Sequence, residues 1–272
     1  MHAEALAGAS PRLVFLAAGK QDAAVISAAI SNNCFRPKRL DLRPLTGLLS
    51  LYQPLDDLAY QQLTADVIGL YDAHGCPWGV RFEWSSVIAA LPDAPRGLGQ
   101  ILGEMLKRAG AARRADTVVY VEEDLALAPR DALIVDLVRD PRTLVCDAQK
   151  GMREAELIAH GLLWAKRREQ VAALRAGGAS RVLTLKVEDL IAAPQTGLGR
   201  LGAFMGVVLS SSFSLPAIAA LNERDAALVE AAAGSWLAAA GYINRAKLPL
   251  KPGLVATAYE LVEAAPYERW AE

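Results

Sequence analysis

The hydrophobic pattern of the chain is one of short branched runs separated by longer amphipathic stretches. Residues 12–17 (RLVFLA), 117–121 (TVVYV), 132–138 and 181–187 read as buried strands. Each is short, rich in Val, Leu and Ile, and bounded by charged or small residues. Between them the pattern changes to helical spacing. Asp22–Ile30 alternates Ala, Val and Ile, and a mixed helical segment runs from Leu55 to Ala73. Ser85–Ala111 is helical but broken near Pro92 and Pro95. Residues 148–176 predict a long helix with Leu157, Ile158, Leu162 and Ala165 inward and Arg167 and Arg168 outward, ended by Gly177-Gly178. After the fourth strand, residues 188–207 turn helical through Pro194. The C-terminal part reads as helical and peripheral. Strands alternating with helices predict an α/β fold with a central parallel sheet flanked by helices on both faces.

The third strand organises the rest. In DALIVDLVRDPRTLVCD an apolar run ends abruptly in Arg139-Asp140-Pro141-Arg142, with Pro141 stopping the strand. In open α/β sheets ligands bind beyond the strands' carboxyl ends, so two arginines there read as an anion site or, alternatively, as a solvated turn with ordinary salt bridges. The strand 117–121 delivers Glu122, Glu123 and Asp124 to the same edge. Crowded carboxylates repel, and one of them is thereby raised toward general-base duty; otherwise Glu123 or Asp124 caps the next turn.

Composition narrows the function classes. With 53% hydrophobic residues over 272 positions, one domain is the simplest division, with residues 11–246 as its core and 247–272 as a C-terminal tail. The 29 basic and 30 acidic side chains nearly cancel, so no global field points to nucleic acid, and any anion site is local. Cys34, Cys76 and Cys146 are odd in number and dispersed, which suits reduced thiols. The start lacks a secretory pattern and no apolar run has transmembrane length, so a cytoplasmic protein is expected. His74 and Cys76 are metal-ligand types, but no second pair follows at ligand spacing. The basic stretch Arg36–Pro44 reads as a peripheral solvated loop or, alternatively, as a local cluster that holds an acidic substrate. The turn-rich 74–84 segment has the composition of a cleft lining, with Trp78 and Trp84 as core residues.

The string LIVDLVRDPRTLV, followed about 50 residues later by RVLTLKVEDLIAAPQTGLGRLGAFMGV, resembles the core of the bacterial P-loop sulfotransferases. The resemblance covers residues 117–245 well and 11–30 in outline. It implies a P-loop NTPase-like sheet and 3′-phosphoadenosine 5′-phosphosulfate (PAPS) as sulfuryl donor. A small molecule or glycan would be the acceptor, without nucleic acid or membrane span; an oligomer or protein partner stays open. It implies roles residue by residue. Arg139 matches the arginine that holds the donor's 3′-phosphate, and the serine eight residues on is here Asp147. The family's G-x-G-R-S-G-T-T loop falls on Ala17–Ala24, where Gly19 stays and Lys20 stands for the arginine. Glu122 falls nearest the catalytic base, with Lys20 on the transferring sulfuryl group. Val187 replaces the tyrosine of the "YEDL" string.

The departures matter as much as the matches. The loop has lost its hydroxyls and gained Asp22, and Asp147 replaces a hydroxyl beside Arg139. Losing one charge-assisted hydrogen bond costs about 1.5–3 kcal/mol, and an acid facing a phosphate adds repulsion. Three readings remain open: a sulfotransferase with an atypical donor site and Glu122 as base, a sulfotransferase-fold binding or partner protein that does not use PAPS, and a transferase with a less anionic donor. The loop decides between them. An open hollow facing Arg139 favours transfer, and Asp22 filling that hollow through Lys20 or Arg139 disfavours it.

Overall fold

The computed structural model describes residues 10–18, 20–30, 33–93, 95–122, 124–144, 152–176, 181–210, 220–243 and 248–264. Strand β1 (Arg12–Ala17) leads into α1 (Lys20–Ala29), β2 (Cys34–Phe35) and α2 (Arg43–Thr46). Helices α3 (Asp57–Ala73), α4 (Trp84–Ile88) and α5 (Leu98–Ala112) precede β3 (Thr117–Val121) and β4 (Leu133–Val138). Then come α6 (Pro141–Leu144), α7 (Glu154–Ala176), β5 (Val182–Lys186), α8 (Val187–Ala192) and α9 (Pro194–Met205). Helices α10 (Glu223–Ala233), α11 (Ser235–Ala239) and α12 (Pro252–Ala264) complete the described chain. Among the described residues no helix is long and apolar enough to cross a membrane.

The five strands form one sheet in the order β2-β3-β1-β4-β5, and every adjacent pair is parallel. The expected parallel α/β architecture is therefore present, with strand limits within a residue of those read from the apolar runs. Continuous apolar runs are what a sheet covered on both faces demands. On one face Leu13, Phe15, Val118, Tyr120 and Ile134 pack under α3, α5 and α7. On the other, Val14, Leu16, Val119, Val135 and Leu137 pack against α1, α8 and α9. The chain leaves β1 toward β2 and β3, and later crosses to β4 and β5 on the opposite side. β1 thus lies at the reversal of strand order, where an α/β sheet opens a crevice at its carboxyl ends.

Two regions read as peripheral belong to the core. Leu40, Leu42 and Leu45, from the basic stretch and its continuation, are buried, as are Tyr60, Leu63, Val67, Ile68 and Tyr71 of α3. Trp78 is fully enclosed and donates its indole N–H to the carbonyl of Lys38 at 2.7 Å, whereas Trp84 is exposed. At the other end of the chain, Leu228 and Val229 of α10 and Ala258 of α12 close over Leu157 and Ile158 of α7 in a core of their own. Within 247–272, helix α12 meets that core through Ala258 and is otherwise exposed or half-buried.

Helix α7 approaches α10 so closely that a Cβ added at Gly161 would stand 2.7 Å from the Val229 carbonyl oxygen and 2.7 Å from the Ala232 Cβ. Ala is the better helix former by about 1 kcal/mol, but overpacking costs about 1–3 kcal/mol and backbone cannot swing aside as a side chain does. Gly161→Ala is therefore expected to destabilise the protein, lowering the midpoint of thermal unfolding followed by circular dichroism. An unchanged or raised midpoint would mean that the two helices are not in that contact.

Candidate functional site at the carboxyl edge of the sheet

The parallel register carries three strand ends to one edge. Leu16 of β1 lies beside Val121, and Ala17 beside Asp136, so Glu122, the start of α1 and Arg139 share that edge. The amide of Glu122 donates to the carbonyl of Leu16 at 3.1 Å, which ties the start of the β3 loop to β1. Lys20 begins α1 at the same edge; its side chain, like Gly19, Glu123, Cys146 and Asp147 as whole residues, lies outside the described part. The inferred Asp147–Arg139 pairing therefore stays an expectation.

Arg139 has a different carboxylate. Its guanidinium grips Asp22 of the first turn of α1 with both ends of the fork, Nε to Oδ2 at 3.2 Å and Nη2 to Oδ1. Both residues are buried, Asp22 at 4% and Arg139 at 7% exposure, and this decides that the arginine faces a protein carboxylate and not water. The Arg139 carbonyl accepts from the Trp164 indole at 3.0 Å, fixing the backbone at the strand end from α7. Asp22 had been read as a charge placed where a phosphate would sit. In the fold it is the ion-pair partner of Arg139.

Arg142, read as the second anion-binding arginine, is committed elsewhere. It donates to Asp140 (Nε to Oδ1 2.8 Å, Nη2 to Oδ2 2.5 Å), to Glu230 of α10, and to the Ile243 carbonyl at 3.1 Å. The hydrogen bonds to Asp140, with those to Glu230, push its pKa up. Its task is to join the β4 turn to α10. Asp140 in turn receives no free loop: its amide donates to Glu188 at 2.8 Å, and Glu188 accepts from the Tyr242 hydroxyl at 2.9 Å.

Glu122 is buried at 1% exposure, and Arg39 holds it in a two-pronged pair, Nε to Oε2 at 3.2 Å and Nη2 to Oε1 at 2.9 Å. The Asp124 amide adds a third donor at 3.1 Å. Burial raises the Glu122 pKa, opposed by Arg39 and the Asp124 N–H; the Asp124 charge is the least of the named causes. Burial is the main cause that raises this carboxyl, and the neighbouring acid adds the smallest contribution. Asp124 caps the short 3-10 turn at Leu125–Leu127 by accepting from the Ala126 amide at 3.0 Å, the plain reading of that residue.

The correction of largest consequence concerns Arg167 and Arg168, which point inward. Asp136, in the middle of β4, is wholly buried and accepts from both Nη atoms of Arg168, with Nη1 to Oδ2 at 2.6 Å, and from the Thr184 hydroxyl at 2.8 Å. Arg167 stands 3.5 Å from Asp136 and donates to the carbonyls of Ala17 and of Leu137, the latter at 3.3 Å. Burial alone would raise the Asp136 carboxyl, but the Arg168 hydrogen bonds and charge, with Arg167 and Thr184, outweigh it and hold the pKa below the usual carboxylate value. Sequence held a signal for this. A charged residue in a continuous apolar run needs a buried partner, and Arg168 lies at helical spacing from Trp164 and Val171, which are buried. Placing the inner face through Leu162 and Ala165, both only half-buried, turned the helix by the wrong angle.

Among the described residues the edge pairs its charges internally, Arg39 with Glu122, Arg139 with Asp22, and Arg167 and Arg168 with Asp136. Among the described residues no group of three or more His, Cys, Asp or Glu side chains is placed to hold a metal ion.

No family model matches the sequence, and no curated protein matches it. Solved structures do. The sulfotransferase domain from the curacin biosynthetic pathway aligns at 17% identity over 92% of this chain and 97% of that one, with a TM-score of 0.42. The sulfotransferase domain of the Synechococcus PCC 7002 olefin synthase aligns at 16% identity over 93% and 94%, with a TM-score of 0.43. A sulfotransferase from Alicyclobacillus acidocaldarius aligns at 14% over 97% and 100%, with a TM-score of 0.40. At that level the roles of individual residues do not transfer.

His160 marks the seam between the β4 turn and α7. It is buried, and its Nε2 sits 3.1 Å from the Pro141 carbonyl, which can only accept, so the ring donates from Nε2. Burial pushes its pKa down to about 4 against the Pro141 hydrogen bond. The unfolded chain then binds the extra proton first. Stability supplied by the neutral ring is present above the ordinary value of 6.5 and is lost as pH falls toward about 4. Urea unfolding at pH 7, 5.5 and 4.5 should show a decline of which His160 contributes on the order of 3 kcal/mol by the lowest value of that window. His160→Gln should flatten that decline. An identical decline in the variant would place the proton uptake elsewhere.

Proposed function

We propose that this chain is a sulfotransferase-like protein in which the arginine matched to the donor's 3′-phosphate serves the fold, so that the protein acts by binding a ligand or partner and does not use PAPS as it stands. The buried Asp22–Arg139 pair carries the reading. A phosphate reaching Arg139 must displace Asp22 and leave a carboxylate buried without its cation. Separating such a pair costs about 3–5 kcal/mol. The same carboxylate also repels the incoming phosphate.

The test is titration calorimetry with adenosine 3′,5′-bisphosphate. Wild type is expected to bind it weakly or not at all, and Asp22→Ser, which frees Arg139 and supplies a hydroxyl, to bind more tightly by about 1–3 kcal/mol. The same variant should be less stable without ligand, because Arg139 is then a buried cation without its partner, and should recover stability when the bisphosphate is added. Micromolar binding by wild type, unmoved by Asp22→Ser, would overturn the reading and return the chain to the PAPS-using class.

One observation favours the transferase reading instead. A base that takes a proton from an acceptor hydroxyl benefits from a raised pKa, and Glu122 has one at the edge where the crevice opens. On that reading PAPS is the donor, a hydroxyl or amine of a small molecule or glycan is the acceptor, Glu122 is the base and Lys20 faces the sulfuryl group. Release of adenosine 3′,5′-bisphosphate from PAPS in the presence of simple phenols or amines, abolished by Glu122→Gln, is the outcome expected of it. No release by wild type at any acceptor concentration leaves Glu122 as Arg39's structural partner.

A further inference from the structure

A second basic site lies away from the Asp22–Arg139 pair, at the outer edge of the sheet. β5 pairs only with β4, and beyond it a cavity of about 320 Å³ opens between β5, α7, α9 and α11. Its apolar wall is made by Val138, Leu185 and the Trp236 side chain. Arg175, Lys186 and Arg200 contribute cations to its lining, against the single carboxylate of Asp189. Arg168 also lines it, but its charge is matched by Asp136.

What sets this cavity apart from the carboxyl edge is that its outer cations lack anionic partners among the described residues. Arg175 donates only to the Thr184 hydroxyl at 2.8 Å, and Lys186 to the Gly241 carbonyl at 3.1 Å while standing 4.4 Å from the Tyr242 ring. Among the described residues none of Arg175, Lys186 and Arg200 forms an ion pair. The Arg168 Nε is buried with no hydrogen-bond partner, in a side chain only 7% exposed. Three cations without an ion pair around one hollow, with the orphaned Arg168 Nε beside them, are a grouping that an anionic ligand would resolve.

The apolar wall fixes the rest of the ligand. Trp236 is half-buried at the hollow, and a flat hydrocarbon body on the ligand covers it and gains that burial, which a bare inorganic anion does not. The volume is at the small end of the roughly 300–1,000 Å³ range of small-molecule sites. We propose that this cavity binds a small amphipathic anion, an aromatic or short alkyl body carrying one oxyanion head (sulfate, sulfonate, carboxylate or phosphate monoester). The head meets Arg175, Lys186 and Arg200, and the body lies on Trp236. The proposal is independent of the donor-site reading, because neither Asp22 nor Arg139 lines the cavity.

The experiment is a ¹H–¹⁵N NMR titration of the full chain with naphthalene-2-sulfonate, with 2-naphthol as the neutral body and inorganic sulfate as the bare head. Saturable shifts centred on the amides of β5 and α11 are expected for the sulfonate, with binding about tenfold or more weaker for either fragment. Arg175→Glu/Arg200→Glu should weaken the sulfonate about tenfold or more. Both arginines are exposed on helices, so the spectrum of the variant reports directly that it is folded; Arg200→Gln provides a milder second variant. Equal binding of naphthol, indifference to the charge reversal, shifts centred elsewhere, or no saturable shift would each overturn the proposal. An Asp22→Ser variant that gains bisphosphate affinity while naphthalene-2-sulfonate fails to bind would sink this site alone.

Discussion

A carboxylate with no exposure to water must bring its counter-charge with it, and Asp136 in the middle of β4 sets that condition for the whole carboxyl edge. The counter-charge comes from α7, whose Arg167 and Arg168 both face inward to reach it. Helix α7 is thereby held over the ends of β1 and β4. Its other faces support α10, α11 and α12, so the C-terminal helices depend on the placement that one buried aspartate enforces. The same condition recurs at Arg139, where the cation is the buried strand-end residue and Asp22 of α1 supplies the match. Burying these pairs adds little net stability compared with an apolar core. Breaking one by removing a single partner is expensive, about 3–5 kcal/mol, and so the pairs fix geometry more than they add to stability.

Matched charges also explain why the edge is chemically quieter than its sequence suggests. Read linearly, Arg139, Arg142, Glu122 and Asp22 are four functional groups in search of a substrate. In three dimensions each has a partner from a distant segment, Asp22 for Arg139, Glu230 for Arg142 and Arg39 for Glu122. Anion affinity needs a cation whose field is not already spent on a neighbouring carboxylate. By that measure the described arginines on the cleft side of β4 are neutralised, and Arg175, Lys186 and Arg200 beside β5 are not.

The backbone of this arrangement was legible in the sequence, because a strand covered on both faces writes itself as an unbroken apolar run. The strands at Arg12–Ala17, Thr117–Val121, Leu133–Val138 and Val182–Lys186 follow from such runs, and so does their shared direction. β2, with only Cys34 and Phe35, is too short to carry a pattern at all. The Arg36–Pro44 stretch hides its role for a related reason. Prolines and basic residues dominate its composition, while the buried Leu40 and Leu42 are dispersed among them.

The candidate site was legible as a location and not as a set of contacts. That Arg139 and Glu122 would share an edge follows from strand direction, which local pattern reveals. That Arg39 would close on Glu122 across 83 positions, or Asp22 on Arg139 across 117, depends on how distant segments pack, and no local period encodes it. Where a long-range pair could have been anticipated, the clue was a violation. Asp136 inside an apolar strand required a cation. Residues that break the local pattern of a buried element therefore constrain tertiary structure more than residues that obey it. Obeying residues can be satisfied by any apolar neighbour. A buried charge has few acceptable partners, and here those partners determine which of the chain's arginines remain for a ligand.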